Sequence, residues 1–232
     1  MLQPIENDKN DNSLVIIPAR LNSTRLPQKA LKEIHGKSMI WHVWSRAVKS
    51  SIGPVIVATD SNKIADIIIS EGGDAILTKK DHASGSDRVY EALEIFDPNN
   101  KFDLIINLQG DVPNFNPMML KQLVSTKQNA DIGTLVSIAR EDEINDPSVV
   151  KTVVSWENNL SSFKKGKALY FSRASIPFNS KKFWHHIGVY SWKRKSLEKF
   201  ISLPISNLEE TEKLEQLRAL EAEMSIEVSE IK

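Results

Sequence analysis

Apolar runs of strand length alternate with stretches whose apolar residues recur three and four positions apart. Leu14, Val15, Ile16 and Ile17, closed by Pro18, predict a strand buried on both faces. Ile40, Val43, Trp44 and Ala47 predict a helix over Ser38 to Ser50. PVIVAT, Pro54 to Thr59, reads as a second strand, and Ile64, Ile67 and Ile68 mark a helix broken by Gly72-Gly73. Asp74 to Thr78 reads as a third strand, and Val89, Ala92, Leu93 and Phe96 as a helix capped by Ser86 or Asp87. Phe102 to Leu108, Asp131 to Ala139, Val149 to Ser155 and Ser225 to Ile231 read as further strands. Asn116-Pro117 supplies one helix start. Asn207, with Glu210 three residues on, supplies another, whose Leu214, Leu217 and Leu220 line one face. The alternation implies right-handed crossovers and an α/β fold on a mainly parallel, Rossmann-like sheet.

Composition narrows the class. At 232 residues the chain has room for one substantial domain with a small appended lobe. Residues 1–13 are polar and expected to be a disordered lead-in to a domain spanning 14–232. Lys+Arg and Asp+Glu both number 30, so no net field draws the chain to nucleic acid or membranes. The absence of cysteine excludes disulfides, thiolate metal sites and a cysteine nucleophile. No apolar run approaches the roughly 20 residues that span a bilayer. A soluble cytoplasmic enzyme is the expectation. Neither G-x-G-x-x-G nor G-x-x-x-x-G-K-[ST] occurs, which argues against a dinucleotide-binding oxidoreductase and a P-loop protein.

Chemistry concentrates in three regions. After the first strand come Arg20, Arg25 and Lys29, with Asn22, Ser23 and Thr24 among them. Two guanidinium forks and a mobile ammonium at a strand's carboxyl end suit a polyphosphate. Asp81 to Arg88 forms a second polar loop, in which Gly85 permits close backbone approach. The fourth strand runs into Gln109-Gly110-Asp111, and Asp111 is left free because Asn116-Pro117 already starts the next helix. Further on stand Ser172-Arg173 and His185-His186-Ile187-Gly188-Val189-Tyr190. Adjacent strand residues face opposite ways, so the two histidines cannot share one metal there.

In order, P-A-R-x-x-S-T-R-L-P-x-K, S-G-x-D-R, N-x-Q-G-D-x-P, D-P-S-V-V-K, S-R with H-x-G-x-Y, and E-x-L-E-Q-L-R resemble the motifs of the sugar-acid cytidylyltransferases. The likeness is nearest to the members acting on 3-deoxy-manno-octulosonate (Kdo) and covers nearly the whole chain from Leu14. The family's frequent residues differ at Gln28, Val112 and Ser148, where it commonly has Gly, Glu and Asn.

The resemblance implies a nucleotide-diphospho-sugar-transferase fold with a small sugar-binding and dimerisation lobe. It implies CMP transfer from CTP to Kdo, with pyrophosphate released, for lipopolysaccharide biosynthesis. Nucleotide contacts would come from Pro18, Ala19, Arg20, Ser23, Arg25 and Lys29 in the first loop. Ser84, Gly85, Asp87 and Arg88 would supply them in the second, with Gln109 beside them. Arg20, Arg25, Lys29 and Asp111 would be the catalytic groups, Asp111 also binding Mg2+. Arg173, His186, Tyr190, Glu215 and Gln216 would form the sugar-acid pocket, apart from the nucleotide loops, in a homodimer. The family's second metal carboxylate sits in a G-x-D-T-like turn followed by a C-terminal helix, and the chain as read reaches Lys232 without either. Slow turnover with a raised magnesium requirement is the corresponding expectation. Two other readings stay open: a cytidylyltransferase for a related acid (8-amino Kdo or a sialic acid), and a non-catalytic nucleotide- or sugar-binding homologue.

Overall fold

The computed structural model describes residues 12–21, 28–125, 130–158 and 164–231. Along the chain come β1 (Ser13–Ala19), a short hairpin of β2 (Glu33–Ile34) and β3 (Lys37–Ser38), α1 (Met39–Ser50), β4 (Val55–Thr59) and α2 (Asn62–Ser70). Next are β5 (Asp74–Leu77), α3 (Gly85–Phe96), β6 (Leu104–Leu108), α4 (Met118–Ser125), β7 (Ile132–Ile138) and α5 (Glu141–Ile144). The last part holds β8 (Lys151–Trp156), β9 (Lys165–Ser172), β10 (Trp184–Lys193), α6 (Arg194–Ser202), α7 (Asn207–Glu212), α8 (Gln216–Glu221) and β11 (Ile226–Glu230).

Nine strands form one sheet in the order β5-β4-β1-β6-β10-β7-β11-β9-β8. The expectation of a mainly parallel sheet needs correction, because the sheet is mixed. β5, β4, β1 and β6 run parallel, whereas β10 is antiparallel to β6, β7 and β8. The reason lies in the connections: β8, β9 and β10 follow one another without the long helical crossover that parallel neighbours need. β8, β9 and β11 extend this same sheet, with β9 paired to both β8 and β11.

The continuous apolar run of β1 has the meaning given to it. Leu14 and Ile16 pack on one face with Val89, Ala92 and Leu93 of α3, Leu197 and Phe200 of α6 and Leu217 of α8. Val15 and Ile17 pack on the other with Ile40, Val43 and Ala47 of α1, Ile64 and Ile68 of α2 and Leu120 of α4. Ser13, left in the lead-in by its polarity, is buried in the strand; residues 1–11 lie outside those described. The Gly72-Gly73 break is steric as well as conformational. Gly72 takes φ +81°, and a Cβ on Gly73 would stand 2.6 Å from the Trp44 ring.

Two helix starts shift from the sequence reading. Ser84, rather than Ser86 or Asp87, caps α3, accepting from the Asp87 N–H while Asp87 closes the reciprocal bond. Ser206, rather than Asn207, caps α7, with Glu209 as its partner. The expected single helix also breaks at Lys213, which takes φ 55° and separates α7 from α8.

One ion cluster ties the start of α6 to the end of α3 on the Leu14 face of the sheet. Arg194, at the start of α6, donates to Asp97 Oδ2 at 2.7 Å and Glu94 Oε1 at 3.0 Å. Burial pushes the Asp97 carboxyl up, but the Lys101 and Phe102 N–H groups and Arg194 outweigh it and hold the group below the usual carboxylate range. Its stability contribution is therefore present above the ordinary Asp pKa, about 4, and is lost as pH falls through the lower folded value. Removing one partner of a buried pair costs about 3–5 kcal/mol. Asp97→Ala is expected to lose that much at pH 7 in urea titrations, with the deficit shrinking toward pH 3. A deficit independent of pH contradicts the assignment.

Candidate active site

The carboxyl ends of β1 and β6, hydrogen-bonded in parallel, bring two of the sequence-predicted loops together. The close approach depends on Gly110, where a Cβ would lie 2.8 Å from the Pro18 carbonyl oxygen. That contact lays the Gln109-Gly110-Asp111 turn against Pro18 and buried Ala19. Lys29 Nζ then donates to Asp111 Oδ2 at 2.9 Å, joining two predicted catalytic groups that are 82 positions apart. The pair is exposed, so its net contribution to stability is under about 1 kcal/mol. Asn116 accepts from the Met118 N–H through its side chain, which leaves Asp111 free of capping work as expected. Arg20 is exposed on the same edge and lies close enough to Arg88 to affect it electrostatically. Ser23 and Arg25 lie outside the described residues.

Gly85 opens α3 beside Pro18, where an added Cβ would lie 3.8 Å from Pro18 Cγ. Asp87 faces its own cap and accepts from Ser84. Arg88 departs from the expectation of a nucleotide contact. It is buried, donates to the Thr78 hydroxyl and, at 3.1 Å, to the Lys79 carbonyl, and stands 3.6 Å from Asp60. Asp60 in turn accepts from the Leu21 N–H at 2.9 Å. Arg88 thus braces the first loop through Asp60 instead of reaching outward. Asp60 was not singled out, although a carboxylate directly after a buried strand was its signal.

The sugar-pocket residues divide. Arg173 departs from its expected place as a ligand contact in the sugar-acid pocket, since its guanidinium donates to the carbonyls of Glu212, Pro147 and Lys213 at 2.9, 2.9 and 3.3 Å. It fixes the left-handed turn at Lys213 and the Asp146-Pro147 turn, which Lys151 also clamps through the Asp146 and Val149 carbonyls. His186 and Tyr190 do meet, with ring centroids 5.5 Å apart. A register shift in β10 between Ile187 and Tyr190 accompanies this pairing, and Gly188 sits beside Gln109. His186 Nε2 bonds the Thr134 hydroxyl at 2.9 Å, and burial pushes its pKa down to about 3, so the ring is neutral at physiological pH. Burial also drives the Tyr190 phenol up, with Glu215 adding to the shift.

Glu215 changes the picture most. Burial raises its carboxyl, opposed by hydrogen bonds with the Ser84 and Ser86 hydroxyls and by Arg218. Glu215 is thus within electrostatic reach of the second nucleotide loop, from which the sugar pocket is expected to stand apart. Arg218 sets the α7–α8 junction, gripping Glu209 with two bonds of 2.7 Å and lying over the Phe200 ring. Among the described buried groups, Glu215 Oε1, Gln216 Nε2 and Asn107 Oδ1 have no partner within the protein. Each costs about 1–3 kcal/mol when left so. Asn107 opens the segment N-x-Q-G-D-x-P but carries no role in the sequence reading; a lone amide inside the apolar run LIINL is its signal.

Comparisons with known proteins place the chain in a family. The cytidylyltransferase family model matches residues 14–226. A 3-deoxy-manno-octulosonate cytidylyltransferase of Paramagnetospirillum magneticum is 46% identical over 92% of this chain and 87% of its own length. That of Bartonella henselae is 47% identical over 93% and 88%. The chain belongs to the cytidylyltransferase family. A CMP:2-keto-3-deoxy-manno-octonic acid synthetase solved in complex with CTP superposes with TM-score 0.84 at 36% identity, covering 95% of this chain and 90% of that one. A nucleotidyl transferase from Methanothermobacter thermautotroptrophicus, at 13% identity and TM-score 0.59, shares the fold alone. For this cytidylyltransferase, no described helix is long and apolar enough to cross a membrane.

The exposed and buried charges predict opposite stability effects. Asp111→Asn is expected to change unfolding free energy by less than about 1 kcal/mol. Arg88→Ala, which strands Asp60, is expected to cost about 3 kcal/mol. Thermal melts of the two variants check this; comparable losses contradict it.

Proposed function

We propose that this chain transfers CMP from CTP to Kdo, giving CMP-Kdo and pyrophosphate for lipopolysaccharide biosynthesis. One observation carries the reading: Lys29 meets Asp111, and Pro18 at the end of β1 lies against Gly110 after β6, a place suited to a triphosphate. The family membership and the likeness to a synthetase complexed with CTP support it.

The sugar's anomeric hydroxyl oxygen attacks the α-phosphorus of CTP. The new O–P bond forms as the bond to the β-phosphate bridging oxygen breaks, pyrophosphate leaves, and the hydroxyl proton passes to solvent. The protein's part is positioning and charge neutralisation. Arg20, Arg25 and Lys29 neutralise the phosphates. Pro18, Ala19, Ser23, Ser84, Gly85 and Gln109 shape the nucleotide cleft, which Asp87 and Arg88 support from behind. His186, Tyr190, Glu215 and Gln216 read the sugar's polar groups, the unpartnered Gln216 N–H and Glu215 oxygen being suited to hydroxyls. Arg173 holds the turn that presents them.

Asp111, an exposed hard-oxygen donor, fits a magnesium ion that fills its shell with phosphate oxygens and water. When bound, that ion supplies further neutralisation of phosphate charge. Among the described residues no cluster of three or more metal-binding side chains occurs. A cytoplasmic homodimer completes the proposal, on the strength of the family resemblance.

Pyrophosphate release from a panel of triphosphates crossed with Kdo, 8-amino Kdo and a sialic acid tests the reading. Release is expected from CTP with Kdo, and none from any pair contradicts an enzymatic role. Losing one oriented donor to a developing anion costs about 3 kcal/mol. Arg25→Ala is accordingly expected to slow turnover by about two orders of magnitude in a folded protein.

A further inference from the structure

Between the pairs Ile187–Leu135 and Tyr190–Thr134, β10 advances three positions while β7 advances one, so Gly188 and Val189 bulge from the ladder. Thr134, 1% exposed, stands at that bulge. Its hydroxyl oxygen lies 2.8 Å from the Val189 carbonyl oxygen, 3.2 Å from the Ile187 carbonyl oxygen and 2.9 Å from His186 Nε2. The His186 ring is itself buried, with Phe171 edge-on to it at 4.9 Å and Tyr190 at 5.5 Å. Its other nitrogen, Nδ1, has no hydrogen-bond partner among the described residues and, unlike Gln216 Nε2, is not sealed from solvent.

We propose that Thr134 is a positioning residue for the sugar-acid site, its hydroxyl fixing His186 in the tautomer with the proton on Nε2, so that Nδ1 accepts from a hydroxyl of the sugar acid. The inference rests on the reading of His186 as a sugar contact. Counting protons decides the tautomer. A hydroxyl carries one proton and two lone pairs, and neither carbonyl has a proton to give. With the ring proton on Nε2, His186 donates to Thr134 Oγ, and Oγ donates to Val189. With it on Nδ1, the single hydroxyl proton faces three acceptors, and lone pairs oppose one another at the remaining contacts. Burial keeps the ring neutral, so it has one proton to place, and the buried contacts place it on Nε2. Nε2 is then engaged, and Nδ1 is the nitrogen left to meet a substrate. As an acceptor it selects a hydroxyl over a carbonyl or carboxylate oxygen.

Nitrogen–proton NMR correlation spectra of the full chain test the tautomer, with the His186 signals picked out among five histidines by their loss in His186→Gln. At neutral pH the wild type is expected to show a protonated Nε2 and a bare Nδ1, whose signal shifts when Kdo is added without CTP. A proton on Nδ1 in the unliganded wild type overturns the proposal, as does an Nδ1 signal that saturating Kdo leaves unmoved. Both results stand whether or not a Thr134 variant folds. Valine keeps the shape of threonine without its hydroxyl, and serine keeps the hydroxyl. Thr134→Val is expected to raise the Kdo KM about tenfold, equivalent to about 1.4 kcal/mol. The CTP KM is expected to stay within about twofold, and Thr134→Ser to return the Kdo KM to within about twofold of the wild type. Both KM values rising together in Thr134→Val, with no recovery in Thr134→Ser, identify a strand-packing residue and overturn the proposal. An unchanged Kdo KM in folded Thr134→Val overturns it as well. Any of these contrary results beside wild-type pyrophosphate release from CTP and Kdo defeats this inference alone. No release from the wild type defeats the functional reading, and this inference with it.

Discussion

The largely buried carboxyl of Glu215, near enough to the Ser84 and Ser86 hydroxyls for them to oppose the effect of its burial, is the group on which the site depends. Ser84 caps α3 and Ser86 stands in its first turn, so this proximity joins the loop after β5 to a helix that starts 130 positions later in the chain. A carboxyl in that position cannot be left alone. Burial penalises its charged form, and the nearby hydroxyls and Arg218 oppose that penalty. Arg218 and Arg173 hold the α7–α8 junction from two sides, which keeps Glu215 and Gln216 aimed inward. The two halves of the chain are thereby made into one cleft wall.

Charge is handled differently at the two ends of that cleft. At the Lys29–Asp111 end the ions are exposed and pair with each other, a contact weak enough to be exchanged for phosphate. At the Glu215 end the groups are buried, His186 is held neutral, and unpartnered polar atoms remain. An exposed ion pair suits a highly charged ligand that brings its own counter-charge. A dry wall with spare donors and acceptors suits discrimination among hydroxyl patterns, because a buried group left unpaired by the wrong ligand is costly.

Much of this was legible in the sequence. The apolar run of β1, the helical spacing of α1 and the break at Gly72-Gly73 follow directly from periodicity and glycine chemistry. The basic loop and Asp111 stood out because charged residues follow buried strands. What periodicity could not reveal is which polar groups face each other across the fold. Arg173 and Arg88 look like ligand-binding cations in sequence, yet main-chain carbonyls, a threonine hydroxyl and a carboxylate claim them in three dimensions. The left-handed turn at Lys213, with no glycine to announce it, hid the break between α7 and α8. Sheet direction was misjudged because strands late in the chain carry the same alternating pattern whichever way they run.

Amide hydrogen exchange of the unliganded wild type and Glu215→Ala tests the linkage most directly. If Glu215 ties the two halves, the amides of residues 85–88 will exchange faster in the variant together with those of α8, while the amides of α1 on the opposite face keep their wild-type rates. Faster exchange confined to α8, with the start of α3 unmoved, would contradict it.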